Sequence, residues 1–262
     1  MNRIAPIEYI SSVDETSFPD DWYHISRSDH FWFQWRFRAA LRQAKEAGLA
    51  FDQPLKVLEI GCGPGVLREQ FETATRWTID GTDLYVPALK AAKAGRGRTL
   101  YYDVTEERGE FVDSYDAVIL FDVLEHIADT PGFLKSVVRH LRPGGWLLIN
   151  VPALSALHSA YDVAAGHLRR YNHKSLPAEF ARLDFEVVDV RYWGLSMIPL
   201  LLARKLWLRA GSTSGQTIRA GFEPPSALSH AMLRLAMRIE TALLARPIRG
   251  SSLLLAGRRG RP

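Results

Sequence analysis

The sequence predicts an α/β fold in which a mostly parallel sheet is covered by helices on both faces. Short apolar or β-branched runs alternate with helix-compatible stretches between residues 55 and 151, the pattern of a sheet buried on both sides. Each predicted strand is followed by polar or glycine-rich residues, as in repeated βα units. Among the 262 residues, 47% are hydrophobic and 24% are charged, which is typical of one folded domain and excludes a disordered chain.

Seven strands are predicted, at residues 56–60, 77–82, 99–102, 115–121, 145–151, 185–192 and 251–256. We divide the chain into four segments of a single structural domain. They are an N-terminal helical cap (1–50), a core (51–192), a helical insertion that is basic and apolar (193–250), and the last strand with a basic tail (251–262).

Two helices outside the core have a recognisable apolar stripe. The first is predicted to start after Ser28, a plausible N-cap, and to end near Gly48. One stripe of this helix is expected to pack in the core: Phe31, Trp32, Trp35 and Ala39. Three residues outside it are candidates for a pocket wall: Trp22, Tyr23 and His24. The second helix starts near residue 226, and we expect its apolar face to be buried: Leu228, Met232, Leu235, Ile239 and Leu243.

The stretch from Val57 to Gly65 is a buried-type strand that runs into a turn with glycine at every second position, Gly61, Gly63 and Gly65. Without Cβ atoms the backbone turns sharply and approaches a ligand closely, and the following helix points its free N–H groups into the same crevice. This predicts a nucleotide-like ligand at the carboxyl ends of the strands. A dinucleotide is disfavoured, because the third glycine that its turn needs is Val66 here.

Acidic residues follow at the ends of the next two strands. Asp83 lies 22 residues after Gly61, about the spacing at which a carboxylate accepts hydrogen bonds from ribose hydroxyls, and Asp80 is the competing choice. Asp103 follows the third strand, where it could accept from an adenine amino group. Its neighbour Val104 could face the adenine ring.

Five stretches in order resemble the successive motifs of class I S-adenosylmethionine-dependent methyltransferases: residues 58–65, 81–84, 103, 121–126 and 141–145. The resemblance covers roughly residues 28–192. It implies a doubly wound, Rossmann-like sheet of seven strands with an antiparallel last strand. It also implies that S-adenosyl-L-methionine is the cofactor and S-adenosyl-L-homocysteine the product. The cofactor contacts implied are Glu59, Gly61, Cys62, Gly63, Gly65, Asp83, Leu84, Asp103, Val104 and Phe121.

Residues 30–33 and 166–171 are similar to segments of bacterial methyltransferases from surface-glycan, lipid or secondary-metabolite pathways. This implies a small-molecule, glycan or lipid-linked acceptor, and we expect methylation of an oxygen atom. The identity of the acceptor stays open, and so does attack by nitrogen or carbon.

An oxygen acceptor needs a general base, and histidine suits that role at neutral pH. His126 follows the fourth strand at the edge of the crevice and is the first choice, although a histidine there can also serve only to cap or pack. His167, with Arg169 or Arg170, is expected to contact the acceptor. His158 and Tyr171 lie in the same loop region, and we take Tyr171 as a further catalytic candidate.

The spacing of Asp122, Glu125 and His126 would place three ligand groups on one side of a helical turn. Ubiquinone-type O-methyltransferases have a similar stretch, so a divalent metal remains an option. We predict that no metal is needed, because water or arginine side chains satisfy the same groups.

Charge and cysteine content bear on partners and compartment. A single cysteine, Cys62, forms no internal disulfide, and no signal stretch or membrane-spanning run is evident, so we expect a cytoplasmic protein. Residues 191–262 hold 12 Lys or Arg against two Glu, a net charge of +10, which leaves −6 for the rest of the total of +4. Together with the apolar stretch at residues 193–208, this predicts peripheral contact with an anionic partner such as the inner membrane face. A solvated arginine face and ordinary core packing are the alternatives.

Two other functions stay open. The computed pI of 9.2 favours a nucleic-acid methyltransferase, but we find no recognition module. The Asn-Pro-Pro-Tyr motif of amino-directed DNA enzymes is absent, since Asn150-Val151-Pro152-Ala153 follows the wrong strand. The second alternative is a non-catalytic assembly factor that keeps the fold and the cofactor. The oligomeric state is undetermined.

Overall fold

The computed structural model describes residues 4–13, 28–208 and 227–261. Eight strands of this part of the chain form one sheet in the order β1-β4-β3-β2-β5-β6-β8-β7. The strands are β1 (Ile7–Tyr9), β2 (Lys56–Ile60), β3 (Thr78–Asp83), β4 (Thr99–Tyr101), β5 (Tyr115–Phe121), β6 (Leu141–Pro152), β7 (Phe185–Trp193) and β8 (Ser252–Arg259).

The pairing confirms the predicted fold class. Strands β1 to β6 pair in parallel, and β8 runs antiparallel to both β6 and β7. All seven predicted strands are present. The segment predicted as a purely helical cap adds an eighth strand, β1, which pairs with β4 at the edge of the sheet.

Helices cover both faces of the sheet because side chains alternate along its central strands. In β5, Val118 and Leu120 belong to one apolar cluster, whereas Ala117 and Ile119 belong to the other. The described helices are α1 (Phe31–Ala47), α2 (Val66–Ala74), α3 (Val86–Ala91), α4 (Thr130–His140), α5 (Ala160–Ala164), α6 (Ser175–Ala178), α7 (Ile198–Leu208) and α8 (Ala227–Leu243). None of these described helices is both long enough and apolar enough to cross a membrane.

Helix α1 ends as predicted but begins later. Gly48 adopts the left-handed conformation, with φ of 98°, and its N–H donates to the carbonyls of the last turn. The predicted N-cap, Ser28, is wrong: His30 is the N-cap, and its Nδ1 accepts a hydrogen bond from the N–H of Trp32 at 3.3 Å. A neutral imidazole has one acceptor nitrogen, so it replaces a serine hydroxyl in this role. The three pocket candidates at residues 22–24 lie outside the described residues.

The apolar stripe predicted to be buried on α8 is exposed, so that prediction is wrong. The exposed fractions are 63% for Met232, 58% for Leu235, 50% for Ile239 and 76% for Leu243. The side chain of Leu228 lies outside the described part. The helix instead turns Met237, which is fully buried, toward the core.

A buried carboxylate explains this rotation of α8. Glu240 accepts hydrogen bonds from the backbone N–H groups of Gly194, Leu195 and Ser196 at 2.8–2.9 Å, and from the Ser196 hydroxyl at 2.7 Å. A carboxylate is buried without a large penalty only where donors meet it. The position of these four donors therefore decides which side of α8 faces the molecule, and the contact ties α8 to the loop before α7.

Candidate active site

A cavity of about 410 Å³ opens at the carboxyl ends of the parallel strands. It lies where the strand order reverses between β2 and β5, the place at which open α/β sheets bind ligands. Its volume falls in the range of small-molecule sites. Residues that follow β2, β3, β4 and β5 line it, together with Met197, which directly precedes α7, and Leu201 and Arg204 of α7.

The glycine turn forms one wall of this cavity. Gly61, Gly63 and Gly65 all have positive φ, at 72°, 51° and 79°, a conformation that side chains disfavour. At Gly61 a Cβ would also collide with the side chain of Val123. Gly61, Cys62 and Gly63 line the cavity, whereas Gly65 does not; it serves as the N-cap of α2.

Of the two competing aspartates in β3, only Asp83 lines the cavity. Its carboxylate accepts hydrogen bonds from the N–H of Gly63 at 2.8 Å and of Tyr85 at 2.9 Å. Burial raises the pKa of Asp83 to about 6, although hydrogen bonds from the backbone N–H groups of Gly63 and Leu84 oppose the shift. Asp80 instead pairs with Arg98 at 3.1 Å and accepts from the Tyr115 hydroxyl at 3.0 Å.

The turn after β4 brings Asp103 and Val104 to the same cavity. Asp103 accepts from the backbone N–H of Thr105 at 2.8 Å, and its own N–H donates to the Ser11 hydroxyl at 2.9 Å. The N-terminal segment therefore helps to hold this turn. Leu84 and Phe121 complete the predicted set of lining residues.

Glu59, the next-to-last residue of β2, lines the cavity with only 3% of its surface exposed. Its Oε2 has no hydrogen-bond partner among the residues that the structure describes. Burial raises the pKa of Glu59 to about 8, against the opposing charges of Arg68 and Arg36. The carboxyl group is therefore largely protonated at neutral pH in the free protein.

Asp122, at the end of β5, has a positive φ of 56°. Its carboxylate forms an ion pair with Arg36 of α1 and accepts from the amide of Asn150. Trp193 in turn donates to Asn150 Oδ1 at 2.8 Å. In this network the partners of Asp122 come from α1 and β6, and not from its chain neighbours Glu125 and His126.

The possible metal ligands that the structure brings together therefore differ from the set considered from the sequence. Within the described residues, one group of possible ligands has all its ligand atoms within 4.8 Å: Glu125, His126 and His167. Glu125 is 1% exposed, and neither of its carboxylate oxygens finds a donor in the described part of the chain. Burial, and next the charge of Asp122, raise the pKa of Glu125 well above its usual range. Imidazole and carboxylate are suitable ligands for a divalent cation.

Two histidines stand together beside Glu125. Their rings meet edge to face, with centroids 4.9 Å apart. His126 Nδ1 lies 3.1 Å from the carbonyl oxygen of Gly166, so this nitrogen carries the hydrogen. Burial, and next the neighbouring His167, lower the pKa of His126 to about 4, which keeps its imidazole neutral at physiological pH.

His167 is oriented by a buried carboxylate. Its Nδ1 lies 3.0 Å from Asp162 Oδ1, which also accepts from Arg170 Nε at 2.8 Å. Asp162 Oδ2 accepts from the N–H and hydroxyl of Ser159. Burial by itself would raise the pKa of Asp162, but the hydrogen bonds from His167 and Arg170 hold that pKa well below its usual range. The ionised carboxylate fixes the His167 ring with Nδ1 as its donor.

Of the residues predicted to contact the methyl acceptor, some line the cavity and others do not. His167 and Arg170 line the cavity, whereas Arg169 does not and donates instead to the carbonyl of Ala128. His158 is not a lining residue either. Tyr171 is 2% exposed and packs in the apolar cluster beneath the sheet, where its backbone bridges to Ala153. It has no contact with the cavity.

Sequence patterns missed several lining residues. Neither Tyr161 on α5 nor Arg204 on α7 belongs to a sequence motif. Both line the cavity, and the guanidinium carbon of Arg204 lies 4.0 Å from the centre of the Tyr161 ring. Arg36 of α1 and Phe133 of α4 were also missed. The aromatic stripe at the start of α1 was expected to pack in the core. Phe31 of this stripe is buried, and it also lines the cavity.

Comparison with known proteins agrees with this geometry. A family model described as a methyltransferase domain matches residues 32–190, and the chain belongs to this family. A ubiquinone biosynthesis O-methyltransferase from Paracidovorax citrulli is 33% identical over 110 residues, which are 39% of this chain and 46% of that protein. The chain thus matches less than half the length of this relative.

Solved structures share the fold at low sequence identity. Phosphoethanolamine N-methyltransferase 2 of Haemonchus contortus, in complex with S-adenosyl-L-methionine, superposes with a TM-score of 0.57 and 20% identity, over 94% of this chain and 60% of that one. The [4+2]-cyclase SpnF superposes with a TM-score of 0.58 and 16% identity, over 91% and 86%. These likenesses confirm the class I methyltransferase fold.

Substitution of Gly63 by valine should abolish binding of S-adenosylhomocysteine. A branched side chain would occupy the cavity wall, and the positive φ would cost the fold about 1–2 kcal/mol, which a folded domain tolerates. Titration calorimetry measures the affinity, and circular dichroism checks that the variant is folded. Unchanged affinity in a folded variant would show that the ligand does not approach this turn.

Affinity for S-adenosylhomocysteine should rise between pH 6.5 and pH 8. The ligand's ammonium group favours the ionised form of Glu59, whose pKa of about 8 leaves it protonated at lower pH. Binding should therefore release a proton below pH 8, measured by calorimetry in buffers of different ionisation enthalpy. Glu59→Gln should flatten the profile. A wild-type affinity independent of pH over this range would contradict contact between the ammonium and Glu59.

Proposed function

We propose that this chain is an S-adenosylmethionine-dependent methyltransferase that methylates a hydroxyl oxygen of a small-molecule, glycan or lipid-linked acceptor. One observation carries the proposal: a single cavity joins the glycine turn and Asp83 to the pair of Asp162 and His167. A methyl donor at the turn and an acceptor beside the histidine would then face each other in one enclosed space.

The two halves of the cavity suit the two reactants. Glu59, Asp83 and Asp103 would hold the ammonium, ribose and adenine groups of the cofactor, whose sulfonium supplies an activated methyl group. Because activation is already present in the cofactor, the protein has to align the acceptor and exclude water. The apolar side chains of Met197, just before α7, and of Leu201 on α7 line the cavity and serve the second purpose.

We assign the general base to His167 rather than to His126. As the acceptor oxygen attacks the methyl carbon and the carbon–sulfur bond breaks, the hydroxyl proton passes to Nε2 of His167. Asp162, bonded to Nδ1, would stabilise the imidazolium that forms. His126 is a weaker base because burial lowers its pKa to about 4, and its position beside His167 suits it to orient the acceptor hydroxyl. Tyr171 has no part in this proposal.

Oxygen methylation is favoured by two independent facts. The matched relatives are named as O-methyltransferases, and an oriented acid–base pair is what a hydroxyl acceptor requires. A cyclase also has this fold, so cofactor binding alone is insufficient proof of methyl transfer. Among the residues that the structure describes, neither a nucleic-acid module nor a specific observation favours the nucleic-acid alternative.

The direct test is methyl transfer from labelled S-adenosylmethionine to a panel of catechols, hydroxylated acids, glycans, lipid-linked phenols and nucleic acids. A methyl ether should form on at least one hydroxyl compound, identified by mass spectrometry. Cofactor binding without a methylated product across the panel would favour the assembly-factor alternative instead.

Replacement of His167 by asparagine should lower kcat by between about 10²- and 10⁴-fold, the usual contribution of a general base. Affinity for S-adenosylhomocysteine should not change. His158→Asn is the matched control, since that histidine lies outside the cavity, and it should keep wild-type kcat. If His167→Asn retains full activity, the base must be sought elsewhere.

The same assay addresses the metal. We expect full activity in excess chelator, because His167 Nε2 and Glu125 Oε1 lie 4.0 Å apart, wider than the roughly 3.4 Å between ligands of one tetrahedral zinc ion. Loss of activity that returns with a divalent cation would reassign Glu125, His126 and His167 as metal ligands.

We also propose that the protein is cytoplasmic and touches an anionic membrane surface through α7 and α8. Three leucines of α7 are exposed, Leu200, Leu202 and Leu206, together with the stripe of α8 that was expected to be buried. Both helices lie within residues 191–262, which carry a net charge of +10. An apolar stripe flanked by basic residues is typical of helices that lie on anionic lipid.

Cosedimentation with vesicles containing phosphatidylglycerol should occur at low salt and weaken as salt is added, because screening shortens the reach of the basic residues. Vesicles of phosphatidylcholine alone should bind less. The variant Leu235→Glu should bind weakly, whereas Val112→Glu, at an exposed residue far along the chain from α8, should bind as wild type. Absence of binding to anionic vesicles at low salt would exclude membrane contact.

A further inference from the structure

The N-terminal segment at residues 4–11 lies outside the part of the chain that matches the methyltransferase family, residues 32–190. It nevertheless contacts the wall of the cavity. Strand β1 pairs with β4 at the edge of the sheet. Beyond β1, the N–H groups of Ile10 and Ser11 both donate to the carbonyl of Tyr101, at 3.0 and 3.2 Å. The segment is therefore bonded to the last residue of β4, where the chain turns toward the cavity.

The side chain of Ser11 reaches that turn. Its hydroxyl accepts a hydrogen bond from the backbone N–H of Asp103 at 2.9 Å, and only 7% of the residue is exposed. Serine is mostly exposed in proteins, and a buried hydroxyl is normally bonded. Ile10 packs against the apolar cluster that contains Tyr102 and Val104, the two chain neighbours of Asp103. The segment thus holds Asp103 by a hydrogen bond and its neighbours by packing.

The carboxylate of Asp103 uses one of its two oxygens within the turn. Oδ1 accepts from the N–H of Thr105 at 2.8 Å and from the Thr105 hydroxyl at 2.7 Å. A carboxylate accepts through both oxygens, so Oδ2 is the oxygen that can accept from a ligand in the cavity that Asp103 lines. Bonds at the N–H and at Oδ1 together set where Oδ2 lies. An acceptor placed in advance in this way gives the selectivity that a mobile carboxylate would lose.

We propose that Ser11 is a positioning residue for adenine recognition: by holding the N–H of Asp103, it places the Asp103 carboxylate to accept from the 6-amino group of the cofactor. This inference rests on the proposed function, because it concerns the cofactor of that reaction. Ser11 itself does not line the cavity, so it acts through Asp103. Loss of its hydroxyl should therefore lower the selectivity for the amino group, and not only the affinity for the cofactor.

The test compares two ligands by titration calorimetry: S-adenosylhomocysteine and its purine riboside analogue, in which hydrogen replaces the 6-amino group. The wild type should bind S-adenosylhomocysteine at least ~10-fold more tightly, the scale of a hydrogen bond to a charged group. Ser11→Ala should reduce this preference to about 3-fold or less and leave the affinity for the analogue within about 2-fold of wild type, since the analogue makes no such bond. Ser12→Ala, at the neighbouring exposed serine, is the matched control and should keep the wild-type preference.

A second variant covers the case in which Ser11→Ala does not fold, as checked by circular dichroism. Ser11→Cys fills nearly the same space but accepts hydrogen bonds weakly, and it should lower the preference in the same direction. Asp103→Ala should abolish the preference, because it removes the accepting oxygen.

Equal wild-type affinity for the two ligands, or an unchanged preference in Asp103→Ala, would overturn adenine recognition by Asp103. Equal weakening of both ligands by the Ser11 variants, with the preference kept, would show that Ser11 serves stability alone and would overturn its positioning role. The outcomes also separate the two proposals. A wild type that binds neither compound contradicts the proposed function, whereas selective binding without methyl transfer to any acceptor contradicts the transfer and leaves the role of Ser11 standing.

Discussion

The close approach of two backbone segments at the end of β2 is the constraint on which the site depends. At Gly61 the turn packs so tightly against Val123 that no side chain fits. The turn after β2 and the one after β5 meet at this contact, and both line the cavity. Parallel strands end at the same edge of the sheet, so the residues that follow β3 and β4 meet the same opening.

The cavity is lined by charged residues of both signs. Glu59, Asp83 and Asp103 stand at the end formed by the turns after β2, β3 and β4, whereas Arg170 and Arg204 stand at the end covered by α5 and α7. Burial makes each of these groups costly in its charged form unless a partner of opposite charge is present. A cationic methyl donor would supply such a partner for Glu59, whereas Arg170 already pairs with Asp162.

The cover of the cavity depends on a single buried carboxylate far along the chain. Glu240 holds the loop at residues 194–196 with four hydrogen bonds, and α7 begins directly after that loop. The same contact turns the apolar stripe of α8 outward. One interaction thus connects the acceptor half of the cavity with an exposed apolar surface, and a membrane-bound acceptor would enter beside that surface.

The sequence by itself determined the features that depend on neighbours along the chain. Alternation and short apolar runs located seven strands, the spacing of Gly61, Gly63 and Gly65 identified the turn, and Asp83 and Asp103 followed from their positions at strand ends. These features are local, because a strand's periodicity and a turn's need for glycine are set within a few residues. The choice of Asp83 over Asp80, by contrast, needed the orientation of β3.

Tertiary structure decided everything that joins distant parts of the chain. The pairing of β1 with β4, the ion pair of Arg36 with Asp122, and the stacking of Arg204 on Tyr161 link residues tens of positions apart. The exposed face of α8 was mispredicted for the same reason: hydrophobic periodicity indicates that a helix has an apolar face, but not which neighbour it meets. Four donors in a distant loop outweighed four apolar side chains, because an unsatisfied buried carboxylate costs more than exposed leucines do.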